Sequence, residues 1–281
     1  MPPETPLLGA ALYLDELTGL PGMQGFIRDP GRDIEIRDFT TVGALSDNVW
    51  PDLAERARSL LAGHGGRIGL HGPFWGFTLD VADPDIRRIV QHRLDTALSA
   101  LGRVLNGRGG GHMVLHSPYT TWHGFNRWTN QCDAAGIAER THATIAPAVA
   151  RAEAEGIEIV LENCEDIDPT ERVALAASFN SPALRVSLDT GHAHYAHGAT
   201  GAPPVDGFVR AAGAALAHVH LQDADGVADR HWQIGKGNIH WPAVFAALGE
   251  MPVLPRLILE MANARDVQPS ALWLQAQGLA A

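Results

Sequence analysis

Histidines and carboxylates recur in this chain at positions that call for a metal-binding explanation. Residues 217–231 read A-H-V-H-L-Q-D-A-D-G-V-A-D-R-H, a short strand running into a loop. Side chains alternate along a strand, so His218 and His220 share one face while Ala217, Val219 and Leu221 take the other. Asp229 and His231 follow in the loop. Imidazole and carboxylate groups brought together at a strand end are the ligands that a zinc-like cation selects. Similar residues close other apolar runs: His71, His116, Glu162, Asp189 with His192, and Glu260. Glu162 follows Ile159-Val160-Leu161 and Glu260 follows Leu257-Ile258-Leu259, so both carboxylates are expected to be buried and to need a partner. Two such acids facing one point repel unless a cation lies between them. One histidine at a strand end is usually an ordinary hydrogen-bonded residue. Recurrence at successive strand ends is what points to a shared site.

The elements that must position these residues follow from periodicity. Short apolar runs alternate with longer amphipathic ones, the pattern of a parallel sheet with crossover helices. Strands are expected at residues 7–14, 34–39, 68–74, 112–117, 157–163, 184–189, 217–223 and 256–261. Helices are expected at 49–62, 84–105, 138–155, 169–177, 204–216, 241–248 and 269–277. The clearest is 84–105, with Ile86, Ile89, Val90, Leu94, Leu98, Leu101 and Leu105 on one stripe, Asp83 as its cap and Pro84 at its first position. Asp168-Pro169-Thr170-Glu171 has the form of a capping box for the helix that follows. Eight such units imply a single α/β domain over 1–281, a (β/α)8 TIM barrel, with its first two units the faintest in the pattern. Histidines and acids at the strand ends then fall together on the C-terminal face, where active sites of this architecture form.

Composition agrees with a single large core: 281 residues, of which 46% are hydrophobic. No apolar run is long enough to span a membrane. The opening Met1-Pro2-Pro3-Glu4 lacks the basic and apolar regions of a secretory signal, so a cytoplasmic location is expected. Two cysteines, Cys132 and Cys164, suit a reduced compartment. The formal net charge is −11 and Lys236 is the only lysine, which argues against a broad nucleic-acid surface. Bound cations would cancel part of that charge locally.

In order along the chain stand His71-Gly72-Pro73, His116-Ser117-Pro118, Leu161-Glu162-Asn163, Asp189-Thr190-Gly191-His192, His220-Leu221-Gln222-Asp223, Asp229-Arg230-His231 and Leu259-Glu260. This series resembles the motifs of the xylose isomerase-like TIM barrels, in particular the endonuclease IV (AP endonuclease 2) branch and the sugar phosphate isomerase/epimerase-like proteins. The resemblance runs from about the third strand onward. It implies that His71, His116 and Glu162 hold one metal, that Glu162, Asp189, His220 and Glu260 hold a second, and that His192, Asp229 and His231 hold a third. The simpler epimerase pattern uses only Glu162, Asp189, His220 and Glu260. Divalent ions are therefore the expected cofactors, zinc first and up to three, with manganese or iron as alternatives.

Two chemistries follow. A trinuclear site would hydrolyse a phosphoester of a small sugar- or nucleotide-like substrate, since metal-bound water ionises near neutral pH. The alternative is a sugar or sugar-phosphate isomerase or epimerase that uses one metal, with Glu162 and Glu260 as the catalytic acid–base pair. Because only hydrolysis needs every histidine as a ligand, it is the first expectation. An AP endonuclease and a catalytically silent sugar-binding barrel rank below both. Against a DNA substrate, Asp225 stands where the endonuclease branch has a lysine, and the first strand lacks that branch's histidine motif. The partner is therefore expected to be a small phosphorylated or sugar-like molecule. Phe74, Trp75, Tyr119 and Trp122 are candidates to contact it through aromatic faces, and Arg230 and Lys236 as phosphate donors; the alternatives are loop packing and surface charge. The segment 192–197 is expected to be an exposed polar loop in which His194 and His197 are not ligands. Cys164 shares face parity with Glu162 and is expected near the site or as a buried thiol. His218, one pleat below His220, is expected to pack inside the barrel or to orient a ligand.

Overall fold

The computed structural model describes residues 6–129 and 131–281. Eight parallel strands close into a barrel in chain order, β1 Leu8–Leu12, β2 Ile34–Ile36, β3 Ile68–His71, β4 His112–His116, β5 Glu158–Glu162, β6 Leu184–Asp189, β7 Leu216–Leu221 and β8 Arg256–Leu259, with β8 pairing back onto β1. The expected (β/α)8 TIM barrel is therefore observed. Around it run α1 Leu14–Gly19, α2 Met23–Arg28, α3 Trp50–Leu60, α4 Pro84–Leu105, α5 Thr121–Phe125, α6 Ala134–Glu155, α7 Pro169–Ser178, α8 Thr190–Thr200, α9 Val205–Ala212, α10 Trp241–Gly249 and α11 Val267–Ala276.

Strand alternation sorts the barrel's two faces. Leu70, Met113, Leu115, Ile159, Leu161, Leu188, Val219, Leu221, Leu257 and Leu259 are buried on the helix side. The opposite parity carries Glu35, Gly69, His71, His112, His116, Glu162, Ser187, Asp189, His218 and His220 toward the barrel axis. A barrel lumen is ordinarily filled by branched aliphatics. Here polar residues share the lumen with Val114, Val160 and Ile258, which have the same parity and are fully buried. Gly69 is required by this arrangement, because a Cβ there would stand 2.0 Å from the His112 ring.

Local signals fix the helix starts. The Asp83 carboxylate accepts the Asp85 amide at 2.7 Å and Asp168 accepts the Thr170 amide at 2.9 Å, each cap contributing about 1 kcal/mol. The apolar stripe of α4 begins only at Val90: Ile86 and Ile89 are 51% and 58% exposed, contrary to the expected pattern. The larger correction concerns residues 192–197, which are not a loop but the body of α8. Asp189 ends β6 and at once caps α8, its Oδ1 accepting the His192 amide at 2.7 Å. Strand therefore passes into helix without a connection. His194 meets Asn238 at 2.5 Å and His197 meets the Ala202 carbonyl at 2.6 Å, and neither joins a metal-type cluster.

Candidate metal centre and active site

The C-terminal mouth gathers the nine residues expected as ligands into three adjoining groups. At the centre lie Glu162, Asp189, His220 and Glu260, with one ligand atom from each all within 4.8 Å of one another. His220 Nδ1 is 2.6 Å from Glu162 Oε1 and 3.3 Å from Glu260 Oε2. Asn163 locks β5 to β6 here, its amide nitrogen donating to the Asp189 carbonyl at 3.0 Å while its oxygen accepts the Asp189 amide at 2.8 Å.

Flanking groups share the central carboxylates. His71 Nε2 and His116 Nε2 lie 3.8 and 3.4 Å from Glu162 Oε2. On the other side His192 Nε2 is 3.2 Å from Asp229, and His231 Nε2 is 3.1 Å from the same carboxylate. A common tautomer rule emerges. The Nδ1 atoms of His71, His192 and His231 each meet a backbone carbonyl, of Gly72, Asn163 and Glu260, at 3.1, 2.8 and 3.1 Å. With Nδ1–H donating, each Nε2 faces the mouth and, once it gives up its proton, would offer the lone pair that a metal ligand needs.

Electrostatics point the same way. Burial pushes His116 down to about 3, only partly offset by Glu162, so its ring is neutral. Burial would also lower His220, but Glu260, Glu35 and Glu162 outweigh it and hold the ring well above the usual imidazole range. For His231, burial is outweighed by Asp229, Glu260 and Asp189, and the value rises to about 9. Burial raises Asp189 to about 6, with His192 opposing and Glu162 reinforcing the shift. Protonated imidazoles thus balance part of a concentrated negative charge. Glu162 Oε2 and Asp189 Oδ2 are nevertheless buried with no hydrogen-bond partner among the described residues. A divalent cation would satisfy both oxygens, and the mixed imidazole and carboxylate donor set suits one.

The loop after β7 is organised by Gln222, to which sequence reading gave no role beyond its place in His220-Leu221-Gln222-Asp223. Its buried amide donates to Asp189 Oδ1 at 3.1 Å and Asp229 Oδ1 at 2.8 Å, and accepts the His231 amide at 2.7 Å. Gly191 makes room, since a Cβ there would lie 2.2 Å from the Gln222 amide carbon. These bonds hold His231 at φ +48°, a left-handed conformation that non-glycine residues adopt at a cost.

A cavity of about 270 Å³ opens above the cluster, lined by Tyr13, Arg37, Thr40, Phe74 and Trp75 together with the ligand-type residues. Phe74 and Trp75 are where sequence reading expected them, and Phe74 stacks on His116 with ring centres 4.2 Å apart. The other expected substrate contacts lie elsewhere. Tyr119 is buried in an adjoining hollow of about 180 Å³ beside Ser117 and Cys164. Trp122, on the short α5, is 69% exposed. Arg230 is drawn off the mouth by Asp225 at 2.9 Å. Lys236 lines a separate depression with Trp232, Asn263 and Asp266. Cys164 lies against His192, and burial pushes its thiol up to about 12.

Sequence reading missed Tyr13, Thr40 and Arg37, whose Nε is 3.5 Å from Glu260. It also missed Glu35, fully buried on β2, although an acid between Ile34 and Ile36 carries the same signal that marked Glu162. His218 is buried within the barrel as expected, its Nδ1 2.8 Å from Ser187 Oγ.

Comparison with known proteins places this geometry in context. A protein of Methanocaldococcus jannaschii, described only as uncharacterized, is 30% identical over 167 residues, a match that covers 56% of this chain and 53% of that protein. The chain thus spans about half the length of this curated relative. Among solved structures, a D-tagatose 3-epimerase-like protein superposes with a TM-score of 0.74 at 23% identity, covering 97% of this chain and 98% of the other. The 3-keto-D-glucoside 4-epimerase of E. coli gives 0.70 at 15% identity, with coverages of 96% and 99%. A D-psicose 3-epimerase from Clostridium cellulolyticum gives 0.66 at 19%, with 98% and 100%. At these identities the likeness is one of fold. The family description "Xylose isomerase-like TIM barrel" matches residues 28–278, nearly the whole chain, and the protein belongs to that family.

Proposed function

We propose that this protein is a metal-dependent isomerase or epimerase of a small sugar or sugar derivative, with Glu162 and Glu260 as its acid–base pair. The observation that carries this reading is the central group, in which both glutamates approach His220 Nδ1, at 2.6 and 3.3 Å, beside Asp189. A divalent cation, when bound by these four residues, would polarise a carbonyl and its neighbouring hydroxyl as a Lewis acid; zinc, manganese and iron all suit the donors. The chain's own residues move the proton. One glutamate takes it from the carbon beside the carbonyl while the C–H electron pair moves toward the carbonyl group. The other glutamate, entering in its protonated form, gives its proton to the opposite face of that carbon, inverting it; for isomerisation the proton goes to the adjacent carbon while the neighbouring hydroxyl's proton passes to the former carbonyl oxygen, shifting the carbonyl. Tyr13, Phe74 and Trp75 offer aromatic surface to the apolar face of a sugar. Among the described residues, Arg37 is the one arginine lining the cavity, and it lies against Glu260. That is a poor grip for a nucleic acid, which is held through many phosphates.

Phosphoester hydrolysis, the first expectation from sequence, becomes the second reading. The sparse cations of the mouth and the sugar epimerases among the structural neighbours favour proton transfer. Hydrolysis keeps one specific support: the groups His71–His116–Glu162 and His192–Asp229–His231, which epimerisation on one metal does not require. The test is incubation of the protein with Mn2+, Co2+ or Zn2+ and a panel of ketohexoses, ketopentoses and their phosphates in D2O. The expected result is exchange of one carbon-bound hydrogen for deuterium as an epimer or isomer appears. Phosphate release without exchange into any C–H bond would favour hydrolysis.

A further inference from the structure

Below the mouth, Glu35 occupies the centre of the barrel and is completely buried. Its Oε1 lies 2.9 Å from His220 Nε2, and its Oε2 lies 2.9 Å from His112 Nε2 and 3.1 Å from His218 Nε2. Among the contacts of the described residues, no arginine or lysine is its partner. An ionised carboxylate in such a place needs N–H donors, and the imidazoles are the available ones. This bears on one exception to the tautomer pattern at the mouth. Where His71, His192 and His231 are oriented by backbone carbonyls through Nδ1, His220 is turned the other way. Its Nδ1 faces Glu162 and Glu260, and it is gripped from beneath through Nε2. No backbone carbonyl takes that place; Glu35 does.

We propose that Glu35 is the positioning residue of the site: it accepts the His220 Nε2–H from inside the barrel and so presents Nδ1 to the metal-binding mouth, while His112 holds Glu35 in place. This rests on the reading of His220 as a cation ligand. His112 can occupy its position only because residue 69 is glycine, and His218 is itself held by Ser187. His112 and His220 hydrogen-bond to Glu35, whereas His218 Nε2 lies 3.1 Å from Oε2 without forming a hydrogen bond among the described residues.

Zn2+ alone serves as the probe, with affinity measured by chelator competition, which needs no substrate. Glu35→Gln is expected to weaken Zn2+ binding about 10- to 100-fold, the usual effect of losing a partner that orients a ligating histidine, and Glu35→Asp to weaken it less. In a His220→Ala background the Glu35→Gln change is expected to add nothing, because its effect passes through that ring. The wild-type protein supplies a readout independent of variant folding. In 15N-histidine spectra of the Zn2+-loaded protein, with the resonance assigned by its loss in His220→Ala, His220 is expected to keep its Nε2 proton and to bind through Nδ1. An Nδ1–H tautomer of His220 would overturn the proposal, as would unchanged Zn2+ affinity in a folded Glu35→Gln protein. Loss of a whole equivalent of Zn2+ with the remaining affinity unaltered would also overturn it, by making Glu35 a ligand. If His220→Ala itself leaves Zn2+ affinity unchanged, the assignment of His220 as a ligand falls and the inference falls with it.

Discussion

Replacing Glu162 by glutamine keeps the shape of the side chain and removes its charge, with effects that should differ sharply between metal-free and metal-loaded protein. Without metal, two changes oppose one another. The charge-assisted bond from His220 Nδ1 at 2.6 Å is weakened, at a cost of about 1.5–3 kcal/mol. Against this, one of three acids clustered with ligand atoms within 4.8 Å is neutralised, which relieves repulsion of similar size. The chelated variant should therefore melt close to the wild type. With metal at about 100 times its dissociation constant, the wild type gains about 2.7 kcal/mol, or roughly 5–10 °C in Tm at about 2–4 °C per kcal/mol. A variant that binds about 100-fold more weakly would gain only about 0.4 kcal/mol, or roughly 1–2 °C. Paired thermal melts with a chelator and with Mn2+ or Zn2+ measure both quantities. Turnover should fall about 10²- to 10⁴-fold with the loss of a proton-transfer group. A Glu162→Gln protein with the full wild-type metal shift would refute the placement of Glu162 at the heart of the site.

Further outcomes follow from the same contacts. His231, raised to about 9, is protonated in the metal-free protein at neutral pH, and a ligating imidazole must be neutral. Metal binding near pH 7 should thus release protons, detected by calorimetry in buffers of different ionisation enthalpy; an uptake of protons, or none exchanged, would contradict the assignment. Stability from a raised imidazole pKa is fully present below the unfolded value of 6.5 and is lost as pH rises through about 9. Metal-free protein should therefore weaken across that interval, and metal-loaded protein should weaken less. Gln222→Ala removes the bonds that hold Asp229 and the His231 amide, and urea unfolding should show a loss of about 1–3 kcal/mol; an unchanged midpoint would mean that the loop is held otherwise. Gly69→Ala drives a methyl into the His112 ring, and overpacking of this kind costs about 1–3 kcal/mol. A stable Gly69→Ala protein with normal metal affinity would show that the lower layer yields easily.

Much of this architecture can be read from the chain, because a barrel repeats one signal. Each apolar run ends in a polar residue of the same parity, and closure brings those ends together. That is why His71, His116, Glu162, Asp189, His220 and Glu260 can be found without coordinates. What escapes is set by contacts that no local pattern encodes. Strand β2 has three residues, too few to display alternation, so Glu35 passes unnoticed although its apolar neighbours mark it. Arg230 reads as a phosphate donor until the turn brings it to Asp225. Asp189 gives no sign in sequence that it both joins the metal-type cluster and caps α8, which is why residues 192–197 read as a loop. Gln222 carries no chemical signal of its own in sequence, whereas its amide pairs with two carboxylates and a backbone N–H at once.

Anomalous diffraction from crystals of the whole protein equilibrated with Mn2+ reports on the centre most directly. The expected result is a peak bounded by Glu162, Asp189, Glu260 and His220 Nδ1, with any further peaks at the His71–His116 and His192–Asp229–His231 groups. A protein that binds Mn2+ elsewhere, while those four residues enclose no metal at saturating concentration, would contradict the assignment of the barrel mouth as a metal centre.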